Sequence, residues 1–188
     1  MAIYMALLRG INVGGNNKIK MAELKTMFEG LGLDKVRTYI QSGNVLFVSD
    51  EESDPLRIRL ENAIEKTFGF RIRVILRKQT DIDRIIARLP FSEDEIRAAA
   101  EASPGKEVLY VAMLEELPKP EAIARLGTYE KDKYHVEGLE IYQLFHQSIL
   151  DSKLSVNLQK LGVAMTVRNW KTMNKLAELC KEIESEAP

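Results

Sequence analysis

At 188 residues the chain is long enough to bury a proper core and sits between one domain and two small ones. It is 45% hydrophobic and 29% charged, an ordinary globular balance that argues against disorder. A formal net charge of −1 removes any global electrostatic case for nucleic acid or an anionic membrane as partner.

The apolar start, Ala2–Leu8, follows no basic segment and precedes no small-residue cleavage site, and it is too short to span a membrane. It reads as a buried strand, with Ile3–Leu8 its apolar run. Met21, Leu24, Phe28 and Leu31 recur at helical spacing, and Gly32 offers a C-cap. Val36–Ile40 and Val45–Val48 are β-rich runs joined by Gln41-Ser42-Gly43-Asn44, a hairpin signal. Asp54 reads as an N-cap with Pro55 at N1, and Leu56, Leu60, Ile64 and Phe68 then form a stripe that stops at Gly69. Arg71–Arg77 alternates, with Ile72, Val74 and Leu76 on one face and Arg71, Arg73 and Arg77 on the other. The sum is β-α-β-β-α-β, the ferredoxin-like unit.

Thr80 is placed to cap a helix over Asp81–Leu89 that Pro90 ends, and Ser92 with Glu95 makes a capping box for the next. After Ser103-Pro104-Gly105 the pattern restarts. Val108–Leu114 reads as a strand, Pro120–Leu126 as a short helix ended by Gly127, and Lys133–Val136 with Glu140–Phe145 as strands flanking a Glu137-Gly138 turn. Leu154, Leu158 and Leu161 mark a helix closed by Gly162, and Val163–Arg168 is a short strand. A last helix, capped by Asn169 or Thr172, carries Met173, Leu176, Ala177, Cys180 and Ile183 on one face. The expected fold is therefore α+β, with two ferredoxin-like (βαββαβ) subdomains in tandem plus a C-terminal helix. Its boundaries are read as 1–78 for the first subdomain, 79–105 for a helical linker, and 106–188 for the second subdomain and terminal helix.

The connection from the first strand to the first helix, Arg9–Lys20, is the distinctive stretch. Such connections usually take about 2–6 residues, and long ones in compact domains tend to be functional or disordered. Gly10, Gly14 and Gly15 allow positive φ and close backbone approach to a ligand. Exposed amides beside a helix N-terminus, flanked by Arg9, Lys18 and Lys20, suit an anion. Two standard fingerprints fail on spacing. Gly10 and Gly15 have the Walker separation, but Asn16 stands where lysine belongs, and no glycine pair has the G-x-G-x-x-G spacing. The plainer reading is a surface loop whose glycines make turns. In a ferredoxin-like unit the first strand ends at the same sheet edge as the hairpin joining strands two and three. That puts the loop beside Gln41–Asn44, with Arg9, Asn12, Gly14, Gly15, Asn16, Lys18, Tyr39, Ser42, Gly43 and Asn44 as candidate ligand contacts.

Three segments carry a resemblance: Leu8-Arg9-Gly10-Ile11-Asn12-Val13-Gly14-Gly15, then Thr38-Tyr39-Ile40-Gln41-Ser42-Gly43-Asn44-Val45, then Thr166-Val167-Arg168-Asn169-Trp170-Lys171-Thr172. Together, in that order and nearly end to end, they resemble the bacterial family called domain of unknown function 1697. The resemblance implies two ferredoxin-like subdomains and supplies no activity. It also implies that the loop, the hairpin and Arg168-Asn169-Trp170 form the functional surface; Lys171 stands where members often carry asparagine.

Other signals are weaker. His135 and His146 lie on expected strands without a carboxylate or cysteine at ligand spacing, so neither a metal nor a cofactor is implied. The single cysteine, Cys180, excludes an internal disulfide, suits a reducing compartment and a cytoplasmic location, and falls in an apolar stripe far from any histidine. Ser42 has no identifiable base. Arg71, Arg73 and Arg77 read as a solvated or interdomain face of an edge strand. Residues 1–90 hold 15 Lys/Arg against 11 Asp/Glu, and residues 91–188 hold 12 against 17, so the halves attract one another or the basic half serves a partner.

Three functions of different class remain open. One is binding of an anionic small molecule, a nucleotide or phosphometabolite, with or without turnover. Another is RNA binding on a sheet face bearing Arg37, Tyr39, Arg71, Arg73 and Arg77, although Asn44–Val48 lacks the paired aromatics of an RNP motif. The third is an interaction protein without a ligand site.

Overall fold

The structure, a computed structural model, describes residues 1–186. The chain opens with β1 (Ala2–Leu8), α1 (Met21–Gly30), β2 (Asp34–Tyr39), β3 (Asn44–Ser49), α2 (Ser53–Phe68) and β4 (Val74–Lys78). The strands form a sheet in the order β2-β3-β1-β4 with every neighbouring pair antiparallel. β1 is an inner strand and is covered on both faces, which is why its sequence runs apolar without alternation. Tyr4, Ala6 and Leu8 pack with Leu24 and Phe28 of α1 and Leu56, Leu60 and Ile64 of α2. Phe47 stacks on Tyr4 with ring centroids 5.8 Å apart and meets Phe28 edge-on at 5.5 Å. Met5, on the other face of β1, has its Sδ 3.8 Å from Cys180 Sγ, so the last helix covers that face.

α3 (Gln79–Ala87) and α4 (Glu93–Ala102) follow, and the pattern then repeats as β5 (Leu109–Leu114), α5 (Pro120–Ala124), β6 (Lys133–Glu137), β7 (Glu140–Leu144), α6 (Lys153–Leu158) and β8 (Met165–Asn169). The second sheet has the order β6-β7-β5-β8, again antiparallel throughout. α7 (Trp170–Ser185) ends the described chain. The fold is α+β, two ferredoxin-like βαββαβ arrangements in tandem with a C-terminal helix. Two compact units result: Met1–Arg84 with α7 from Asn174 onward, and Ile85–Met173. No helix among the described residues is long and apolar enough to cross a membrane.

Local chemistry moves several elements from their expected positions. α2 starts at Ser53, so Pro55 is its third residue, and Gly69 ends it with φ +81°. α3 follows β4 directly, because Asp81 Oδ2 accepts from the Lys78 amide at 2.9 Å and Thr80 lies inside the helix. β4 is an edge strand, but Arg77 is buried on it, with Nη1 donating to the Leu76 carbonyl at 2.9 Å, while Arg71 and Arg73 stay exposed. β2 starts earlier than its apolar pattern suggests and carries an irregularity between Asp34 and Arg37, where Lys35 takes φ +50°.

α4 has the capping box read from its sequence: Glu95 donates its amide to Ser92 Oγ at 3.3 Å, and Glu95 Oε2 accepts the Ser92 amide at 2.8 Å. Lys133 Nζ, on β6, donates to Glu95 Oε1 at 2.9 Å. That bond, with the Ser92 hydrogen bonds behind it, holds the Glu95 carboxyl at about 2, below its usual 4.5. A carboxyl depressed by folding stabilises above its unfolded value, and that contribution is lost as pH falls from about 4.5 toward 2. Lys133→Met is expected to raise the Glu95 pKa toward the ordinary carboxylate range, measured by side-chain NMR titration. An unchanged titration would show that the lysine does not act on it.

Candidate functional site

The Arg9–Lys20 segment is held in a defined shape by its own backbone. Val13–Asn16 is a tight turn closed by the Asn16 amide on the Val13 carbonyl at 3.1 Å. Its two central residues, Gly14 and Gly15, have φ +59° and +81°, as a mirror-image two-residue turn demands. Behind it the Asn12 amide donates to the Asn17 carbonyl at 3.2 Å, making the tip a miniature hairpin. Asn12 and Asn17 also take positive φ, +56° and +48°, which asparagine tolerates better than most residues. Ile11 turns inward and is 1% exposed, anchoring the base of the loop in the core.

Asn12 joins this loop to the β2–β3 hairpin. Its Oδ1 accepts from the Ile19 amide at 2.9 Å, and its Nδ2 donates to the Ile19 carbonyl at 2.9 Å and to the Gln41 carbonyl at 2.9 Å. Asn17 Nδ2 donates to the Gly10 carbonyl at 3.3 Å. The Leu8 amide donates to the Gly43 carbonyl at 2.8 Å. A Cβ on Gly43 would lie 2.6 Å from Ile11 Cδ1 and 2.9 Å from Leu8 Cβ, and its φ is +79°. Asn44, fully buried, donates from Nδ2 to the Tyr39 carbonyl at 2.9 Å and to Ser42 Oγ at 3.1 Å. Loop and hairpin, some thirty residues apart in sequence, are therefore one edge of one sheet. Asn12 and Asn44 direct their amides to the chain itself and shape that edge.

Arg9 and Lys18 stand exposed on this edge, and neither side chain has a hydrogen-bond or ion-pair partner among the described residues. Lys20 is paired with Glu23 at 3.2 Å. The Arg9 amide donates to the Arg73 carbonyl at 3.0 Å, while the Arg73 side chain reaches α2, with Nη1 3.6 Å from Glu61 Oε2. From the sequence alone Arg73 reads as part of a solvated or interdomain face of an edge strand. The signal available was register, since Leu8 pairs with Val74, so the residue before β4 must meet the residue after β1. Gly14, Gly15 and Asn16 are exposed at the loop tip, and Ser42 and Tyr39 are half-buried on the hairpin side.

Arg168, Asn169 and Trp170 lie in the second unit. Arg168 is 8% exposed, and its Nη1 donates to Thr166 Oγ1 at 2.7 Å and to the Val167 carbonyl at 3.0 Å. Burial lowers its guanidinium to about 10. Asn169 Oδ1 accepts the Thr172 amide at 2.8 Å and so caps α7. Trp170 packs beside Ala99, Val108, Leu109 and Leu144, its ring 6.5 Å from that of Tyr142. His135 Nε2 lies 3.6 Å from Glu137 Oε2. No group of three or more His, Cys, Asp or Glu among the described residues is placed to hold a metal ion.

A tandem ferredoxin-like chain whose first strand leads into a glycine-rich loop clamped to a hairpin defines the class. The family model described as "Protein of unknown function (DUF1697)" matches residues 1–142, a stretch that includes both loop and hairpin, and the chain belongs to that family. Its structure is similar to that of a conserved bacterial protein from Streptococcus pneumoniae, with a TM-score of 0.70 and 27% identity over 95% of this chain and 98% of the other. No curated protein matches the chain.

Two substitutions test the clamp. Gly43→Ala forces a side chain into occupied space at positive φ and is expected to cost about 3 kcal/mol in denaturant unfolding. Asn12→Asp exchanges two donors for acceptors facing carbonyls and is expected to cost about 2 kcal/mol, with faster amide hydrogen exchange at Ile19. Exchange at Ile19 unchanged in Asn12→Asp would contradict the clamp.

Proposed function

We propose that the first unit binds an anionic small molecule, a nucleotide or phosphorylated metabolite, at the rim formed by the Arg9–Lys20 loop and the Gln41–Asn44 hairpin. The observation that carries this reading is the unpaired exposure of Arg9 and Lys18 on a backbone fixed by Asn12. Arg9 and Lys18 supply charge, and Asn16 and Ser42 offer neutral hydrogen bonds. α1 begins at Met21, and Lys20, at its N-cap position, makes no side-chain cap bond, so the helix dipole adds a favourable potential for an anion at the loop's end. No histidine, carboxylate or thiol stands among these contact residues. Turnover, if a substrate undergoes it, rests on positioning and electrostatics or on a metal brought with the substrate.

The nucleic-acid reading has less support. Arg37 donates to Glu182 at 2.8 Å and to Glu186, and Arg77 is buried, so the five residues do not make an open basic face. α7 also covers the sheet at Met5, where an RNA-binding sheet of this kind presents stacked bases.

Titration with ATP, GTP, pyrophosphate and inorganic phosphate, followed by calorimetry and thermal unfolding, tests the proposal. At a ligand concentration one hundred times Kd, stabilisation of about 2.7 kcal/mol is expected. Arg9→Gln and Lys18→Gln are each expected to weaken binding roughly tenfold, with weaker binding at higher salt. A flat response across the panel at millimolar ligand would overturn it.

A further inference from the structure

The sheet of the second unit ends in β6, and no strand among the described residues pairs with its outer side. The Leu114 amide donates to the Leu139 carbonyl and the Phe145 amide to the Val108 carbonyl, both at 2.8 Å, so odd-numbered residues of β7 turn their backbone groups toward β5. Glu140, Tyr142 and Leu144 therefore turn theirs toward β6, where they meet Glu137, His135 and Lys133. That leaves the amides and carbonyls of Tyr134 and Val136 directed away from the sheet, without a partner among the described residues. We propose that this edge pairs with the same edge of a second copy of the chain, antiparallel across a two-fold axis at His135.

The register follows from the strand itself. Only even-numbered residues point their backbone groups outward, so even positions must face one another across the new pair. Centring it on His135 overlaps the whole of Lys133–Glu137. Tyr134 then faces the partner's Val136, and Val136 the partner's Tyr134, each pair exchanging two hydrogen bonds. Lys133 lies opposite the partner's Glu137, and Glu137 opposite the partner's Lys133, in the non-hydrogen-bonded pairs where side chains come closest. Opposite charges thus meet at both ends of the overlap. A register centred on Tyr134 or Val136 overlaps fewer residues of the strand and sets Lys133 or Glu137 against His135 instead.

The two faces of β6 suit the pairing. Tyr134 and Val136 are half-buried against the core of the second unit, and a neighbouring strand continues that apolar face. On the other face the charges already have partners in the chain: Lys133 Nζ lies 2.9 Å from Glu95 Oε1, Glu137 Oε1 lies 2.6 Å from Arg88 Nη1, and Glu137 Oε2 lies 3.6 Å from His135 Nε2. Such surface pairs are weak, and an opposite charge brought alongside extends them into a network. β2, also an edge strand, is bent at its Lys35 irregularity, a device that blunts an edge, whereas β6 keeps an unbroken register with β7 over its whole length. Edges of five residues fall short of the roughly 1,200 Å² that stable complexes bury, so the dimer is weak and reversible.

Sedimentation velocity of the full chain is expected to show monomer at about 2 µM and dimer at about 500 µM, for a Kd of roughly 10–100 µM. Amide hydrogen exchange at Tyr134 and Val136 is expected to slow over the same range. Val136→Pro removes an outward donor without touching the bonds to β7 and is expected to stay monomeric, with its thermal midpoint as the folding control. Lys133→Glu and Glu137→Lys each set like charges opposite one another and are each expected to weaken self-association roughly tenfold. An equimolar mixture of those two variants restores opposite charges at both ends and is expected to form a heterodimer as tight as the wild-type dimer; this arm decides the matter if Val136→Pro fails to fold. A wild-type chain still monomeric at about 1 mM, a dimer that persists in folded Val136→Pro, or a mixture no tighter than either variant alone would each overturn the proposal.

Discussion

Gly43 carries its carbonyl to the Leu8 amide across a gap that admits no side-chain atom, and the first unit is organised around that approach. Because the backbones meet there, β1 and β3 keep a continuous antiparallel register from Ala2–Ser49 to Leu7–Asn44. Ile11 can then turn down beside Leu8 and close the core at the point where β1 stops. The loop that follows has its base buried, its middle tied to the Gln41 carbonyl and only its tip in solvent. A bulky residue at position 43 would separate strand, loop and hairpin together, since all three share this contact.

Much of the architecture is legible in residue patterns because apolar periodicity reports burial directly. The α2 stripe of Leu56, Leu60 and Ile64, its stop at Gly69, the Ser92–Glu95 box and the α7 face of Met173, Leu176, Ala177, Cys180 and Ile183 all appear where the pattern puts them. The meeting of loop and hairpin was legible from topology alone, since strand order fixes which ends share an edge. Three features escaped for definite reasons. Burial of Arg77 depends on a carbonyl partner that no periodicity reveals. The direct passage from β4 into α3 depends on Asp81 reaching back to the Lys78 amide. The positive φ of Lys35 has no residue-type signal, because lysine is not a left-handed former. Asn12 and Asn44 read from their polar segments as ligand contacts, whereas their amides bond the chain itself, because composition cannot distinguish an amide aimed at a ligand from one aimed at a neighbouring carbonyl.

The two sheets repeat more than element order. Arg77 on β4 pairs in register with Met5, and Arg168 on β8 with Val111, so each faces the middle of an inner strand. Each is buried, and each donates from Nη1 to the carbonyl of the residue before it, Leu76 or Val167. A long cation bent back onto its own strand at the same position of both sheets is a polar feature that the apolar repeat alone does not require. Buried guanidinium groups are costly unless their hydrogens are placed, and lysine, with a compact charge and no planar fork, is a poor replacement for either.

The saturation of Asn12 also has a kinetic consequence. A loop that orders only when its ligand arrives loses affinity to the entropy of ordering and slows the productive encounter. Here the three bonds to Ile19 and Gln41 already hold the backbone. A ligand docking at this rim, as proposed, would therefore restrain two long cationic side chains and release water, while the main chain kept the shape it had before. Association would then follow diffusion and charge steering, and differences between ligands would be expressed in how long each remains bound.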